Sequence, residues 1–179
     1  MNIFYVDRNP QIAAESLFDK HVVKMTLETA QLLCTTHHEL GSTFPDQYRP
    51  THRNHPCAIW ARQSAANYYW LYDHFASLAQ EFTYRYGKTH LSYTKLADHL
   101  STAPLQIPTS PEFSEPPLAM PDDIRREYYS DHAHAYRKYY LRYKRSLCSY
   151  TRRTPPDWVR VALYKEPGEH DYDDYGLHQ

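Results

Sequence analysis

Apolar and polar residues recur with a helical period along the first forty residues of the chain. Asn9-Pro10 is typical of a helix start, with Asn as the N-cap and Pro as the first helical residue. From there to Leu40 neither Gly nor Pro interrupts the chain, and Gly41 supplies a stop. The pattern predicts one long helix, or two helices with a break near residues 16–19.

Two more long helices are predicted. The second opens at Asn54-His55-Pro56, continues with apolar residues at helical spacing and ends at Gly87. A shorter helix is expected within residues 90–100. The third begins at Pro121, is acidic at its start and basic towards its end, as the helix dipole favours, and closes at residues 154–156.

The remaining segments contain no strand pattern. Residues 101–121 hold six prolines and cannot form a helix. Residues 1–7 could form a short extended piece, and Trp158 is expected to dock the chain end onto the core. We therefore predict a mainly α, compact, single-domain fold over residues 1–165, with three long helices, short helices and a Pro-rich loop. Residues 166–179 would form an acidic tail.

The length and composition fit a single domain with one hydrophobic core. The three cysteines lie far apart without a Cys-x-x-Cys pair, which favours a reducing compartment. No apolar run approaches about 18 residues and no signal peptide is recognised, so we expect a cytoplasmic protein without membrane contact (the host cytoplasm if the chain is phage-encoded). No helical histidine pair with a third ligand occurs, so neither a metal nor an organic cofactor is predicted.

The charge is unevenly distributed although the net charge is only −1. Residues 121–160 carry ten Lys or Arg against five acids, and tyrosines are interleaved with these cations. Such a helix can stack rings on bases while its cations meet phosphates, with Tyr139, Arg142 and Arg145 as candidate contacts. The alternative is a core helix whose basic side chains extend to the surface.

The first long helix carries the best candidate for an active site. His21, Lys24, Glu28 and Gln31 are spaced by 3, 4 and 3 residues and share one narrow arc, whereas most of the circumference is apolar and should be buried. Glu28 beside these bases could act as a general acid or base. Alternatively, the arc is a solvent-exposed face with a Lys24–Glu28 ion pair.

The start of the second helix is the best candidate for a phosphate contact. His52, Arg53, Asn54 and His55 stand directly before Pro56. A helix start offers free N–H groups, and an Arg can add a bidentate contact to a phosphate. Capping by Asn54 alone would explain one of these residues but not the others.

Three segments of the sequence carry a family resemblance: Asp19-Lys20-His21 followed by Glu28; Arg53-Asn54-His55-Pro56; and Arg153, Pro155, Pro156 and Trp158. In these segments the sequence resembles the pyrimidine-dimer DNA glycosylases, the small UV-repair enzymes of the endonuclease V type found in phages and bacteria. It also resembles a group of phage proteins with the same first-helix and Asn-His-Pro segments. The resemblance extends over most of the chain, and residues 101–121 look like an insertion.

The resemblance implies a helical enzyme that flips a base and cuts its N-glycosidic bond, using an N-terminal amine to form a Schiff base at C1′. Glu28 would be the catalytic carboxylate, with His21, Lys24 and Arg53 as supporting and phosphate-binding groups. Asn at position 2 normally leaves Met1 in place, so the amine would belong to Met1, with the Lys24 side chain as the alternative.

We therefore predict a DNA glycosylase or lyase that needs no cofactor and whose partner is DNA. Two other functions remain open at this stage. One is a non-catalytic phage protein that binds nucleic acid, which should tolerate Gln at position 28. The other is an enzyme acting on free nucleotides or modified bases, for which the basic helix would be dispensable.

Overall fold

The computed structural model describes residues 1–110 and 112–164, and these residues form helices connected by loops, without a β-strand. The predicted mainly α fold is therefore confirmed. The predicted tail at 166–179 lies outside the described residues. The helices are α1 (Pro10–Glu15), α2 (Asp19–Glu39), α3 (Pro56–Ala61), α4 (Ala65–Tyr86), α5 (Leu91–Leu100), α6 (Asp122–Glu127), α7 (His132–Lys144) and α8 (Asp157–Tyr164), with a 3₁₀ turn at Arg145–Leu147.

The first predicted helix is two helices, α1 and α2, separated at residues 16–18. Asn9 caps α1 as expected, because its side chain accepts hydrogen bonds from the backbone N–H groups of Gln11 and Ile12. Gly41 follows the end of α2 with a φ of 70°, a conformation that glycine adopts without strain.

The second predicted helix is broken between α3 and α4, so the prediction of a single long helix there was wrong. The third was also wrong, because it is broken between α6 and α7 and ends at Lys144, with a 3₁₀ turn after it, rather than at residues 154–156. Ser64 caps α4 by accepting a hydrogen bond from the backbone N–H of Asn67, which separates α4 from α3. Asp131 does the same for α7 through His134 and separates it from α6. At both positions a short polar side chain offers the backbone a better partner than a continuous helix does.

The two longest helices, α2 and α4, pack against each other at the centre of the molecule. One apolar cluster joins the C-terminal half of α2 to α3, α4 and α5. The other joins the N-terminal half of α2 to α1, the end of α4 and α7. Trp158 packs against this second cluster, where its ring lies 6.1 Å from that of Tyr140.

Residues 1–7 form no strand but enter the core. Ile3, Phe4, Tyr5 and Val6 are all buried. Phe4 has a φ of 53°, and the Val6 N–H donates to the Phe4 carbonyl at 2.7 Å, so the segment turns sharply inside the molecule. This turn places the N-terminus beside the middle of α2.

Buried ion pairs hold the C-terminal segment against α2 and α4. The guanidinium of Arg85, 1% exposed, lies 2.7 Å from the Glu81 carboxylate and 2.9 Å from that of Asp19. Asp19 also accepts hydrogen bonds from the side chains of Ser149 and Thr151. Arg153, from the C-terminal segment, adds a second guanidinium on Glu81. Two carboxylates thus face two guanidinium groups, which is the condition for burying the charges without a large desolvation cost.

Candidate active site

The Glu28 carboxylate lies at the surface of α2 with 13% of its side chain exposed, and each of its oxygens has one nitrogen partner. Oε1 lies 3.0 Å from Nζ of Lys24, one helical turn earlier. Oε2 accepts a hydrogen bond of 3.3 Å from the backbone N–H of Asn2. The structure therefore brings the N-terminal segment and the α2 carboxylate together, with the Lys24 amine on one carboxylate oxygen and the backbone amide that follows Met1 on the other.

The N-terminal segment is held at Glu28 by the Asn2 side chain. Oδ1 of Asn2 accepts hydrogen bonds from the N–H groups of Ile3 at 2.7 Å and Phe4 at 3.0 Å. Its Nδ2 donates to the carbonyl of Ala119 at 2.8 Å. Met1 packs against the first apolar cluster. The α-amine of Met1 is thus one residue away from Asn2, whose backbone and side chain are held by hydrogen bonds.

His55 and Cys57 lie near both the N-terminal amine and Glu28. Burial lowers the pKa of His55, the N-terminal amine and His52 lower it further, and Glu28 opposes them. Burial raises the pKa of the Cys57 thiol to about 12, so this sulfur stays protonated and is no nucleophile at neutral pH. The start of α3 therefore borders the same site.

The residues before α3 divide between structural and exposed positions. The cap expected from Asn54 comes from His55 instead, whose Nδ1 accepts a hydrogen bond of 3.2 Å from the Cys57 N–H. Arg53 is exposed, and its Nε lies 3.1 Å from the Glu39 carboxylate. His52 is also exposed and is 2.6 Å from the Thr51 hydroxyl.

His21 lies beside the site but is buried, at 6% exposure. Its Nδ1 is 2.6 Å from the Tyr140 hydroxyl, and its ring stacks on Phe4 with 4.6 Å between the centroids. Burial, together with the charges of Lys144 and Lys24, lowers the pKa of His21 to about 4. At pH 7 His21 is therefore a neutral ring that supports the turn at Phe4.

The exposed surface next to Glu28 includes apolar side chains that periodicity alone assigned to the core. Val23 is 41% and Leu27 is 38% exposed, on the same side of α2 as Lys24. His90 forms a hydrogen bond with the backbone of Val23, and Leu91, the next residue, is 63% exposed. An apolar strip thus runs along the carboxylate and its lysine.

On the other side of the site, α7 contributes an aromatic ring and a cation. Tyr139 stacks on Phe4 with 6.0 Å between the ring centroids, and Nζ of Lys144 lies 5.4 Å above the Tyr139 ring. Arg142 is directed elsewhere, with its Nη1 3.0 Å from the Asp123 carboxylate. Arg145 begins the 3₁₀ turn that follows α7. Sequence reasoning chose Arg142 and Arg145 but did not single out Lys144.

A cleft of about 350 Å³ lies elsewhere, between α1 and residues 152–156. Its walls include Ile12, Tyr84 and Arg153, whose guanidinium is paired with Glu81 and Glu15. None of the predicted catalytic residues lines it. The cleft is therefore separate from Glu28, Lys24 and the N-terminal segment.

Over residues 1–110 and 112–164, no three His, Cys, Asp or Glu side chains are grouped so that they could hold a metal ion. None of the helices in this described part is both long and apolar enough to cross a bilayer.

Comparison with known proteins gives one match. The family described as pyrimidine dimer DNA glycosylase matches residues 1–94, slightly more than half of the 179-residue chain. No curated protein matches the chain, and no solved structure does. The matched region contains the N-terminal segment, α2 with Glu28 and Lys24, and the start of α3. The family match supports a DNA glycosylase-type role with DNA as the substrate, and on this evidence the chain belongs to the pyrimidine dimer DNA glycosylase family.

Proposed function

We propose that this protein removes a damaged pyrimidine base from DNA by attack of a protein amine on C1′ of the nucleotide, with Glu28 as the assisting carboxylate. The observation that carries the proposal is the arrangement at Glu28. One carboxylate oxygen contacts the backbone N–H next to Met1 at 3.3 Å, and the other contacts the Lys24 amine at 3.0 Å. A carboxylate that contacts one amine and the backbone directly after another suits a reaction in which an amine must lose protons as it becomes an imine.

The proposed reaction first forms a Schiff base and then resolves it. The amine nitrogen forms a bond to C1′ as the C1′–N bond to the base breaks, and the base leaves with the bonding pair and takes up a proton. The amine then loses its protons to Glu28 and water, the C1′–O4′ bond opens, and the O4′ oxygen is protonated. The product is a Schiff base between the protein and C1′. Water hydrolyses it, or removal of a C2′ proton expels the 3′ phosphate.

The Met1 α-amine is the preferred nucleophile, and Lys24 is the alternative. The Lys24 ammonium already forms an ion pair with Glu28, which must be broken before this amine can attack C1′. The Met1 amine instead follows directly from a fixed backbone position, and orientation of a reacting group accounts for a large part of such catalysis.

The surface around Glu28 suits a DNA strand. Lys24 and Lys144 are both close enough to His21 to lower its pKa, and both can meet phosphates. Lys144 also lies over the Tyr139 ring, which stacks on Phe4. Val23 and Leu27 add an apolar strip that can contact unstacked bases. We propose further phosphate contacts from the remaining predicted binding residues: His52, Arg53, Asn54, His55, Arg142 and Arg145.

The decisive experiment uses duplex oligonucleotides that carry either a cyclobutane pyrimidine dimer or an abasic site, each with undamaged duplex as the control. We expect cleavage at the lesion and, with borohydride, a covalent protein–DNA adduct on the abasic duplex. Acetylation of the N-terminus should abolish the adduct, whereas Lys24→Ala should retain it. If only Lys24→Ala abolishes the adduct, the amine is Lys24 and the reaction class stands.

The two other functions predict different results in the same assay. A binding protein would retain lesion-bearing DNA in a gel shift without cleavage or adduct. An enzyme for free nucleotides would show neither adduct nor salt-dependent affinity for duplex. Either pattern with the wild-type protein would refute the glycosylase proposal.

A further inference from the structure

The segment of residues 112–120 belongs to the Pro-rich loop and lies outside the part of the chain that matches the family. Nevertheless, side chains from the helices hold its backbone at many points. The Trp60 indole N–H donates to the Ser114 carbonyl at 2.8 Å, and Asn67 exchanges two hydrogen bonds with Ser114. The Tyr136 hydroxyl donates to the Pro117 carbonyl at 2.7 Å. The segment is thus a fixed part of the molecule.

This segment contacts the N-terminal residues at two places. Near its start, the Glu115 carboxylate pairs with Arg8 at 3.2 Å and lies 3.4 Å from the Tyr5 hydroxyl. Near its end, the Ala119 carbonyl accepts the 2.8 Å hydrogen bond from Nδ2 of Asn2. The 112–120 segment therefore lies along the N-terminal turn and holds both ends of it.

Asn2 has the one side chain in this turn that both accepts and donates. Its Oδ1 accepts from the N–H groups of residues 3 and 4, and an Asp or Ser side chain could do the same. Its Nδ2 donates to Ala119, and an ionised Asp could not. The same residue presents its backbone N–H to Glu28. Four hydrogen bonds thus fix the residue that follows Met1.

We infer that Asn2 is a positioning residue for the nucleophile, and that the 112–120 segment acts through it to hold the Met1 amine against Glu28. The inference rests on the proposed function, because it assigns the geometry of that reaction. It also gives a role to a part of the chain that the family match does not cover. The physical reason is that a displacement of a reacting group by about 1 Å can cost on the order of 10²-fold in rate.

Two substitutions at position 2 separate the contacts. Asn2→Leu removes all side-chain hydrogen bonds while keeping the branching at Cγ, and Asn2→Asp keeps the acceptor but loses the donor to Ala119. Neither residue is small enough to favour removal of Met1, and mass spectrometry of the purified variants verifies the N-terminus. We expect both to lower the single-turnover rate of borohydride trapping at saturating DNA, on the order of 10²-fold for Asn2→Leu. The Kd for DNA should stay within about twofold, since no proposed DNA contact is removed.

Tyr136→Phe tests the segment without touching the N-terminus. It removes the hydroxyl that bonds the Pro117 carbonyl and the Ala119 N–H. The matched control is Tyr68→Phe, because Tyr68 is equally buried and its hydroxyl also donates to a backbone carbonyl, that of Leu100. We expect Tyr136→Phe to slow trapping and to be non-additive with Asn2→Leu, and Tyr68→Phe to leave the rate unchanged.

The outcomes distinguish this inference from the proposed function. If the wild type traps DNA and Asn2→Leu does so within twofold of its rate, the inference fails and the proposed function stands. Equal slowing by Tyr68→Phe and Tyr136→Phe would also refute it, because general loss of stability would then explain the effect. If the wild type forms no adduct on any lesion, both proposals fail together.

Discussion

Glu28→Gln is the substitution that tests the proposed chemistry most directly, because it keeps the shape of the side chain and removes only its charge and proton affinity. In the folded protein each carboxylate oxygen has one partner, Lys24 Nζ at 3.0 Å and the Asn2 N–H at 3.3 Å. An amide has one oxygen, so one of these two contacts is lost.

The structural cost of this change is small. An i,i+4 ion pair contributes about 0.2–0.5 kcal/mol, and a single hydrogen bond contributes about 0.5–1.5 kcal/mol net. Lys24 is mostly exposed, which puts its contact at the lower end. A loss of about 1 kcal/mol lowers Tm by about 2–4 °C for a chain of this length.

The catalytic cost is much larger. General acid–base assistance contributes about 10²–10⁴-fold in rate, equivalent to about 2.7–5.4 kcal/mol in the activation barrier. Single-turnover cleavage of a dimer-containing duplex should therefore fall by at least about 100-fold in Glu28→Gln, with DNA affinity within severalfold. The control is Glu15→Gln, because Glu15 is a glutamate on α1 that also forms an ion pair, with Arg153. Retention of more than half the wild-type rate by Glu28→Gln would remove Glu28 from the mechanism.

Three further outcomes are expected. Affinity for duplex DNA should fall with salt, with a slope of log K against log salt concentration of about −0.9 per phosphate contact. Lys144→Ala should flatten this slope more than Arg142→Ala, because the Arg142 guanidinium is already ion-paired with Asp123. Equal slopes in the two variants would count against the proposed DNA-binding surface beside Glu28. Leu27→Ala should reduce discrimination between damaged and undamaged duplex in competition binding, whereas Leu163→Ala, of similar exposure, should not. Because burial lowers the pKa of His21 from 6.5 to about 4, unfolding by urea should become easier as the pH falls through that window, and less so in His21→Gln; an unchanged pH dependence in the variant would contradict this.

Local signals in the sequence were sufficient for most of the fold. The Asn9-Pro10 start, the Gly87 stop and the prolines of residues 101–121 act within a few residues of themselves, and the structure follows each of them. The breaks before Ser64 and Asp131 are also local, since each caps the N–H three residues on. Apolar residues continue at helical spacing across both breaks, so periodicity alone does not indicate that a capping side chain ends one helix and starts the next.

The candidate site was only partly accessible from sequence. The spacing of Lys24 and Glu28 on one helix predicts their contact, and the structure has it. The same arc misplaced His21, which is buried because Phe4 and Tyr140 cover it. Those two rings come from distant parts of the chain, and no helical pattern can indicate which side of α2 they occupy.

Asn2 shows the same limit more sharply. Nothing in its immediate neighbours marks it as functional, since it stands outside every helix. Its hydrogen bonds reach Glu28, 26 residues away, and Ala119, 117 residues away. Contacts of this kind depend on the whole fold being in place, so sequence reasoning could propose candidate reactive groups but could not predict the hydrogen bonds of Asn2.

The distribution of these contacts bears on how the protein works. The proposed reactive groups lie within residues 1–94, and residues beyond that boundary contact the segments that carry them. The Tyr140 hydroxyl accepts a hydrogen bond from the backbone N–H of Phe18, the residue directly before α2. The Thr151 hydroxyl donates a hydrogen bond to the carboxylate of Asp19, the first residue of α2. Ala119 holds the N-terminal turn. A substitution in the unmatched half can therefore shift the amine relative to the Glu28 carboxylate without altering either group. In the proposed mechanism such a change would alter the rate of the chemical step rather than its nature, because the proposed nucleophile and carboxylate are retained while their alignment is lost.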